Sequence, residues 1–492
     1  MSLSDAGKNA SLARTVIGGT GLIAAAGVAG KLFTLVSAPI LTRELGPVPY
    51  GEVALFVTVT SLAATVALAG QDMSYARFFF AGNREEGKAA ERFCWRFTMA
   101  AACAVSLLAG LGWYLWSGAA GLPAAFASMV VITIFLSVLN TMASTRKRLE
   151  GAYSRISASI VMAGLAGTVL AVVLALFWRK DAWSLLIGGA GGVAAGIAVV
   201  LLPPAETVFR PSGLSREMRR QILRLGIAGA VTAPMHWLIH SADRWFIGLW
   251  QGQNALGVYA FATSVGLLGM IANSAVNLTW FPEMMRDYEA FKEEAAPRIG
   301  RLWARLAAGL LVVWLAVTAA GGDVIRLLAA PAFHEGASYI PWMAGAVFFA
   351  GIASLSNSGL MLRKDMTPAA AWWTFGAAMN VALNALLVRP MGAYGAAVAF
   401  CLTCALIAAG VMRSSQARFP LPLPWARLGA AAGLALAAGI ALAPSWSAGP
   451  LGSLAMKFPF GVAAAAAIAW IMAPDWMLRL LRGEIFRGGP HA

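Results

Sequence analysis

The sequence predicts an all-helical, polytopic membrane protein, and three observations carry that prediction. Of the 492 residues, 59% are apolar and only 12% are charged, far below the roughly 25% charged content of a soluble domain. Mean hydropathy is +0.72, and apolar runs of about 20 residues, each long enough to cross a bilayer as a helix, recur from end to end. The 52 glycines, set among many alanines, suit helices that approach closely inside a membrane. The short alternating segments of a transmembrane β-barrel are missing.

In chain order, spans are predicted near 16–41, 52–75, 97–116, 122–144, 156–178 and 183–202. A polar connector bearing Pro203, Pro204 and Pro211 follows. Six more spans lie near 222–249, 255–281, 302–320, 341–362, 370–388 and 394–412, and two last ones near 427–442 and 454–472. That makes about fourteen. The expected organisation is an N-terminal lobe over 1–203, a cytoplasmic connector over 204–221, a C-terminal lobe over 222–413, and two further helices with a basic tail over 414–492. Residues 1–14 are polar, but the apolar run behind them continues to Leu41 and holds Lys31. It is too long and too interrupted for the 7–15-residue core of a cleavable signal. Four cysteines make no disulfide framework, and Cys401 and Cys404 sit inside an apolar run where they read as helix packing.

Lys and Arg fall unevenly between alternate loops. One set of loops and tails holds 29 of the 37, the other six: Arg43, Arg179, Lys180, Arg326, Arg389 and Lys457. Lys31 and Arg244 remain within spans. The positive-inside rule then places both termini in the cytoplasm. The net charge of +15 follows from this topology and from anionic lipids of the inner leaflet, with no nucleic acid involved. Every loop is short, and no nucleophile–base pairing, phosphate-cradling glycine loop or paired-carboxylate motif lies outside the helices. The chain is expected not to be an enzyme and to need no cofactor.

The stretch from Ala233 to Tyr259 carries Pro234, His236, His240, Asp243 and Arg244 at membrane depth. Ionisable groups there are costly and mark function by default. His236, His240 and Arg244 recur every fourth residue over an arc of about 80° on one helix, with Asp243 beside them. His236, His240 and Asp243 are the candidates for proton coupling; interhelical hydrogen bonding is the plainer reading. The two histidines have zinc-ligand spacing, but no Glu general base follows the first, and no metal is expected. The same stretch restarts an earlier pattern. Gly51-Glu-Val-Ala and Gly257-Val-Tyr-Ala each end a polar turn and open a helix, with a weaker echo at 390–400. Two related halves around a central site is a common transporter plan.

Three segments resemble a known family in the same order. SAPILTRELGPVPYGEVAL with Gln71-Asp72-Met73-Ser74-Tyr75-Ala76-Arg77, then DRWFIGLWQGQNALGVYAFA, then SGLMLRKDMTPAAAWWTFGAAMNVALN with PMGAYGAAVAF resemble the polysaccharide-transporter branch of the MOP flippase superfamily. The resemblance covers roughly 16–412. It implies two six-helix lobes around a hydrophilic cavity in the bacterial cytoplasmic (inner) membrane. It also implies a flippase for undecaprenyl-diphosphate-linked oligosaccharide, serving lipopolysaccharide or exopolysaccharide synthesis, with a polysaccharide polymerase and co-polymerase as further partners. Two other readings stay open: a cation-coupled exporter of drugs or of the peptidoglycan lipid precursor, and a non-transport membrane component of a polysaccharide assembly complex.

Such a substrate presents a diphosphate, which needs cations in a low-dielectric lumen. Lys31 is the first candidate by depth and Arg244 the second. Arg77 and Arg43 sit at helix ends, where they line the cavity mouths or snorkel to the interface. Asn273 with Asn277, and Asn380 with Asn384, form two amide pairs suited to sugar hydroxyls or to joining helices.

Overall fold

The computed structural model describes residues 3–80, 84–204, 213–447 and 449–481. Among these the regular elements are helices throughout. Eleven stretches are long and apolar enough to cross a membrane, so the chain is a multi-pass membrane protein. It divides into two compact units, Met1–Gly257 and Val258–Ala492.

The first unit holds α1 (Leu3–Leu45), α2 (Pro47–Leu68), α3 (Gln71–Phe78), α4 (Arg84–Trp116), α5 (Phe126–Leu149), α6 (Tyr153–Phe177), α7 (Ala182–Val200) and α8 (Arg216–Trp250). Local chemistry sets their ends. Pro47 starts α2 behind Gly46 at φ 70°, a proline at the first helical position where no N–H is needed. Asp181 caps α7 by accepting from the Trp183 N–H at 3.0 Å, and Ser215 caps α8 by accepting from the Met218 N–H at 3.2 Å. Small residues let α6 and α7 meet at backbone distance. A methyl group added at Gly192 would fall 2.5 Å from the Ala163 carbonyl oxygen and 2.8 Å from the Gly167 Cα. In a bilayer, such close contact supplies much of the attraction between helices. Apolar burial in this unit centres on Tyr75, Cys94, Trp95, Met142 and Ile222, joining α3, α4, α5 and α8.

α9 (Gly252–Gly266) leads into the second unit, which continues with α10 (Met270–Phe291), α11 (Ala296–Leu328), α12 (Ile340–Ser356), α13 (Ser358–Leu362), α14 (Thr367–Gln416), α15 (Trp425–Leu442), α16 (Pro450–Met472) and α17 (Pro474–Leu481). The expected span at 255–281 is divided: a 3₁₀ turn at Leu267–Gly269 separates α9 from α10. α14 turns at Gly392, whose φ of 61° and ψ of −146° only glycine adopts without strain. Its two arms fold back together, so that a methyl group added at Gly410 would strike the Trp372 ring at 2.1 Å.

Candidate functional site

Lys31 stands exposed on α1, and no carboxylate pairs with it among the described residues. α1 itself is apolar around it, from Ile23 to Leu41. Arg43 is exposed in the last turn of α1, next to Glu44, which pairs instead with Lys180 at 2.6 Å. Arg77 is exposed at the end of α3, its guanidinium 5.9 Å from the Phe78 ring centre.

The polar row on α8 separates into two faces. Asp243 is 6% exposed and lies in line with Ile239 and Ile247, both fully buried. Its Oδ1 accepts from the Arg244 backbone N–H at 2.8 Å. His240 and Arg244 are half-buried on the neighbouring row. The His236 side chain, and that of Pro234, lie outside the described residues. Helix α8 is held to α2 by the Trp237 indole, which donates to the Ser61 hydroxyl at 3.0 Å. It is held to α3 by Ser74 donating to the Ile222 carbonyl at 2.9 Å. Trp245 packs on Trp116 with ring centres 5.1 Å apart.

The four asparagines have different surroundings. Asn277 is exposed and accepts from the Ser354 hydroxyl. Asn273 is 7% exposed and donates to the Val347 carbonyl at 2.8 Å. Asn380 and Asn384 are wholly buried. Asn380 donates to Thr403 at 3.2 Å across the turn of α14, and Asn384 donates to the Asn380 side chain at 3.1 Å. An amide placed so joins helices. The structure thus gathers Asp243, His240 and Arg244 on one helix, and Asn273 with Asn277 on another. It buries Asn380 and Asn384 between the arms of α14.

Two charged clusters escape the sequence reading. Lys457, counted there with the outer loops, belongs to α16 and is 3% exposed. Its ammonium meets Asp323 Oδ2 of α11 at 2.5 Å and the Ala319 carbonyl at 3.2 Å. Asp323 has no exposure; it also accepts from Ser445 at 2.7 Å and Ser453 at 2.9 Å, with Arg326 at 3.6 Å. Lys457 falls inside the predicted span 454–472, whereas Asp323 falls just beyond the predicted span 302–320, because its helix continues past that point to Leu328. The second cluster joins α3, α4 and α5. The Tyr75 hydroxyl donates to Glu91 at 2.9 Å, and Arg146 bridges Glu91 at 3.1 Å and Glu150 at 3.0 Å. Lys147 meets the other oxygen of Glu150 at 2.7 Å. No group of three or more His, Cys, Asp or Glu residues among those described is placed to hold a metal ion.

This geometry can be set beside known proteins. The family model described as polysaccharide biosynthesis protein matches residues 16–286, just over half of the chain. Among solved structures, the lipid II flippase MurJ in an inward closed conformation is similar over 93% of this chain and 99% of its own, with a TM-score of 0.70 at 11% identity. An inward-facing multidrug resistance MATE family transporter of the MOP superfamily is similar over 79% and 94%, with a TM-score of 0.60 at 14% identity. A MOP superfamily transporter from Pyrococcus furiosus is similar over 82% and 95%, with a TM-score of 0.52 at 14% identity. No curated protein sequence matches. At these identities the structures show a shared fold.

Proposed function

The chain belongs to the polysaccharide biosynthesis protein family, and from that premise we propose that it is a flippase for a polyprenyl-diphosphate-linked oligosaccharide. It moves the repeat unit from the inner to the outer leaflet of a bacterial cytoplasmic membrane, with both of its own termini in the cytoplasm, to supply a surface polysaccharide. Family membership on a MOP transporter fold is the observation that carries this reading. A structural neighbour that is itself named a lipid II flippase supports a lipid-linked substrate.

The charges agree with an anionic substrate. Lys31, an exposed cation with no carboxylate beside it among the described residues, and the half-buried Arg244 are the groups that hold the diphosphate. Arg77 and Arg43, exposed at helix ends, guide it in and out. The long apolar stem of a lysine lets its ammonium reach a phosphate while the backbone stays at membrane depth. The glycan is met by amides, of which Asn277 is the accessible one. Transport proceeds by alternating access, and the ligand favours one state only through its differential affinity for the two. His240 and Asp243, with His236, couple it to protons.

A deletion strain tests the assignment in cells. Surface polysaccharide should be lost, and lipid-linked repeat units should accumulate facing the cytoplasm. Normal surface polysaccharide in the deletion strain would contradict it.

A further inference from the structure

Helix α3 is too short to hold its own place. It has eight residues, Gln71–Phe78, and isolated helices of that length are marginal, so its neighbours within the first unit set its rotation. Gln71, Ser74 and Tyr75 form its buried face, and Met73, Ala76 and Arg77 its exposed one. Tyr75 and Arg77 are two positions apart, which sets them about 200° apart around the helix. Whatever turns Tyr75 inward therefore turns Arg77 outward.

Two anchors do so. On one side α3 lies against α8. The Ser74 hydroxyl donates to the Ile222 carbonyl at 2.9 Å, and a methyl group added at Gly70, just ahead of α3, would fall 2.2 Å from the Gly226 carbonyl oxygen. On the other side the Tyr75 hydroxyl donates to Glu91 of α4 at 2.9 Å, and Arg146 of α5 holds Glu91 at 3.1 Å. Tyr75 is fully buried and Glu91 is 8% exposed. The first anchor is neutral, whereas the second is a hydrogen bond to a carboxylate, roughly twice as strong. Glu91 is thus the firmer hold on the rotation of α3.

The two arginines nearby differ in what is left for a ligand. Arg146 is shared between Glu91 and Glu150. Arg77 lies 5.9 Å from the Phe78 ring centre, and among the described residues no carboxylate pairs with it. The charge count places α3 on the cytoplasmic side, where the proposed substrate enters.

We propose that Glu91 is a positioning residue for Arg77: through Tyr75 it fixes the rotation of α3 and aims the exposed guanidinium at the incoming diphosphate. The proposal rests on the flippase reading and deepens it by naming a residue that acts on the lipid without touching it.

Transport by the full chain in vesicles tests it through the split between half-saturating lipid and maximal rate. Arg77→Gln should raise the half-saturating concentration of polyprenyl-diphosphate-linked oligosaccharide about tenfold, as expected for one lost charged hydrogen bond. Glu91→Ala and Tyr75→Phe should each raise it about threefold with the maximal rate unchanged. Tyr75→Phe removes a single hydroxyl and keeps the buried ring, so it carries the test even where Glu91→Ala fails to fold. In an Arg77→Gln background Tyr75→Phe should add nothing, because no guanidinium is left to aim. A loss that persists in full in that background would overturn the proposal and leave the flippase reading standing.

A spin label at Arg77→Cys reads α3 without any transport. Cys103→Ser clears the background, since the other three cysteines are buried. The label should be ordered in the parent and mobile once Tyr75→Phe or Glu91→Ala is added. An equally ordered label in all three would also overturn the proposal. A label loosened by those variants, in a parent that moves no lipid, would instead remove the flippase reading and keep Glu91 as the anchor of α3.

Discussion

Lys31 and Arg244 carry the heaviest demand of any single residues in this account, because a diphosphate in a low-dielectric path has to meet positive charge. A lysine near the bilayer centre costs at least about 2.5 kcal/mol on insertion scales, and among the described residues no carboxylate offsets that cost for Lys31. Lys31→Gln should therefore cut transport at least tenfold while the purified protein keeps its melting temperature. An unchanged transport rate would remove Lys31 from the substrate path. Coupling is argued from α8, where protonating His240 adds charge beside Arg244 and Asp243. Replacing His236 and His240 together by Gln should flatten the pH dependence of transport, measured in vesicles across pH 5.5–8, near the usual histidine range. An undiminished pH profile would leave the row with a hydrogen-bonding role. These residues were legible in the sequence because a charge stands out in an apolar run. What they touch was not. Spacing alone put Asp243 on a shared face with His240 and Arg244, whereas the packing of α8 turns Asp243 inward with Ile239 and Ile247.

Among the elements, the sequence shows helices well and their ends poorly. The length of each apolar run announces a span, but nothing in composition marks where a membrane helix stops. That is why Asp323, just past the predicted span 302–320, reads as a loop charge and proves to be half of a buried pair linking α11 to α16, with Ser445 ahead of α16 and Ser453 within it closing the set. The break at Leu267–Gly269 was hidden likewise, since the apolar run passes through it without a change in composition. The buried pair makes a sharp prediction. Asp323→Asn should destabilise the detergent-purified protein by about 3–5 kcal/mol, because it strands the buried Lys457 ammonium, and Lys457→Met should cost less, because Arg326 still lies 3.6 Å from Asp323. The double variant should recover most of that loss, as read by thermal unfolding. Additive losses would show that the two residues act separately. The repeat, by contrast, was legible as a pattern and not as a contact. Gly51-Glu-Val-Ala and Gly257-Val-Tyr-Ala announce equivalent turns, while their backbone approach became visible only in three dimensions.

At the scale of the whole molecule, fold class follows from 12% charge across 492 residues together with apolar runs of about 20 residues, which satisfy the backbone in lipid as helices and lack the alternation of a barrel. The lobe limits read from the repeat, 1–203 and 222–413, express symmetry; the compact units divide at Gly257 and Val258, which expresses contact. Nothing in composition could show which substrate the chain carries, because specificity resides in the shape of a cavity and the aim of its polar groups. The claim that it moves a lipid-linked oligosaccharide is therefore best met directly. The purified protein is reconstituted into vesicles that hold a polyprenyl-diphosphate-linked oligosaccharide, and the share of that lipid open to an added, membrane-impermeant glycan-modifying enzyme is followed with time. Protein-containing vesicles should expose nearly all of the lipid while protein-free vesicles expose only the outer half, and Lys31→Gln should slow the change. Equal exposure with and without the protein would contradict the account.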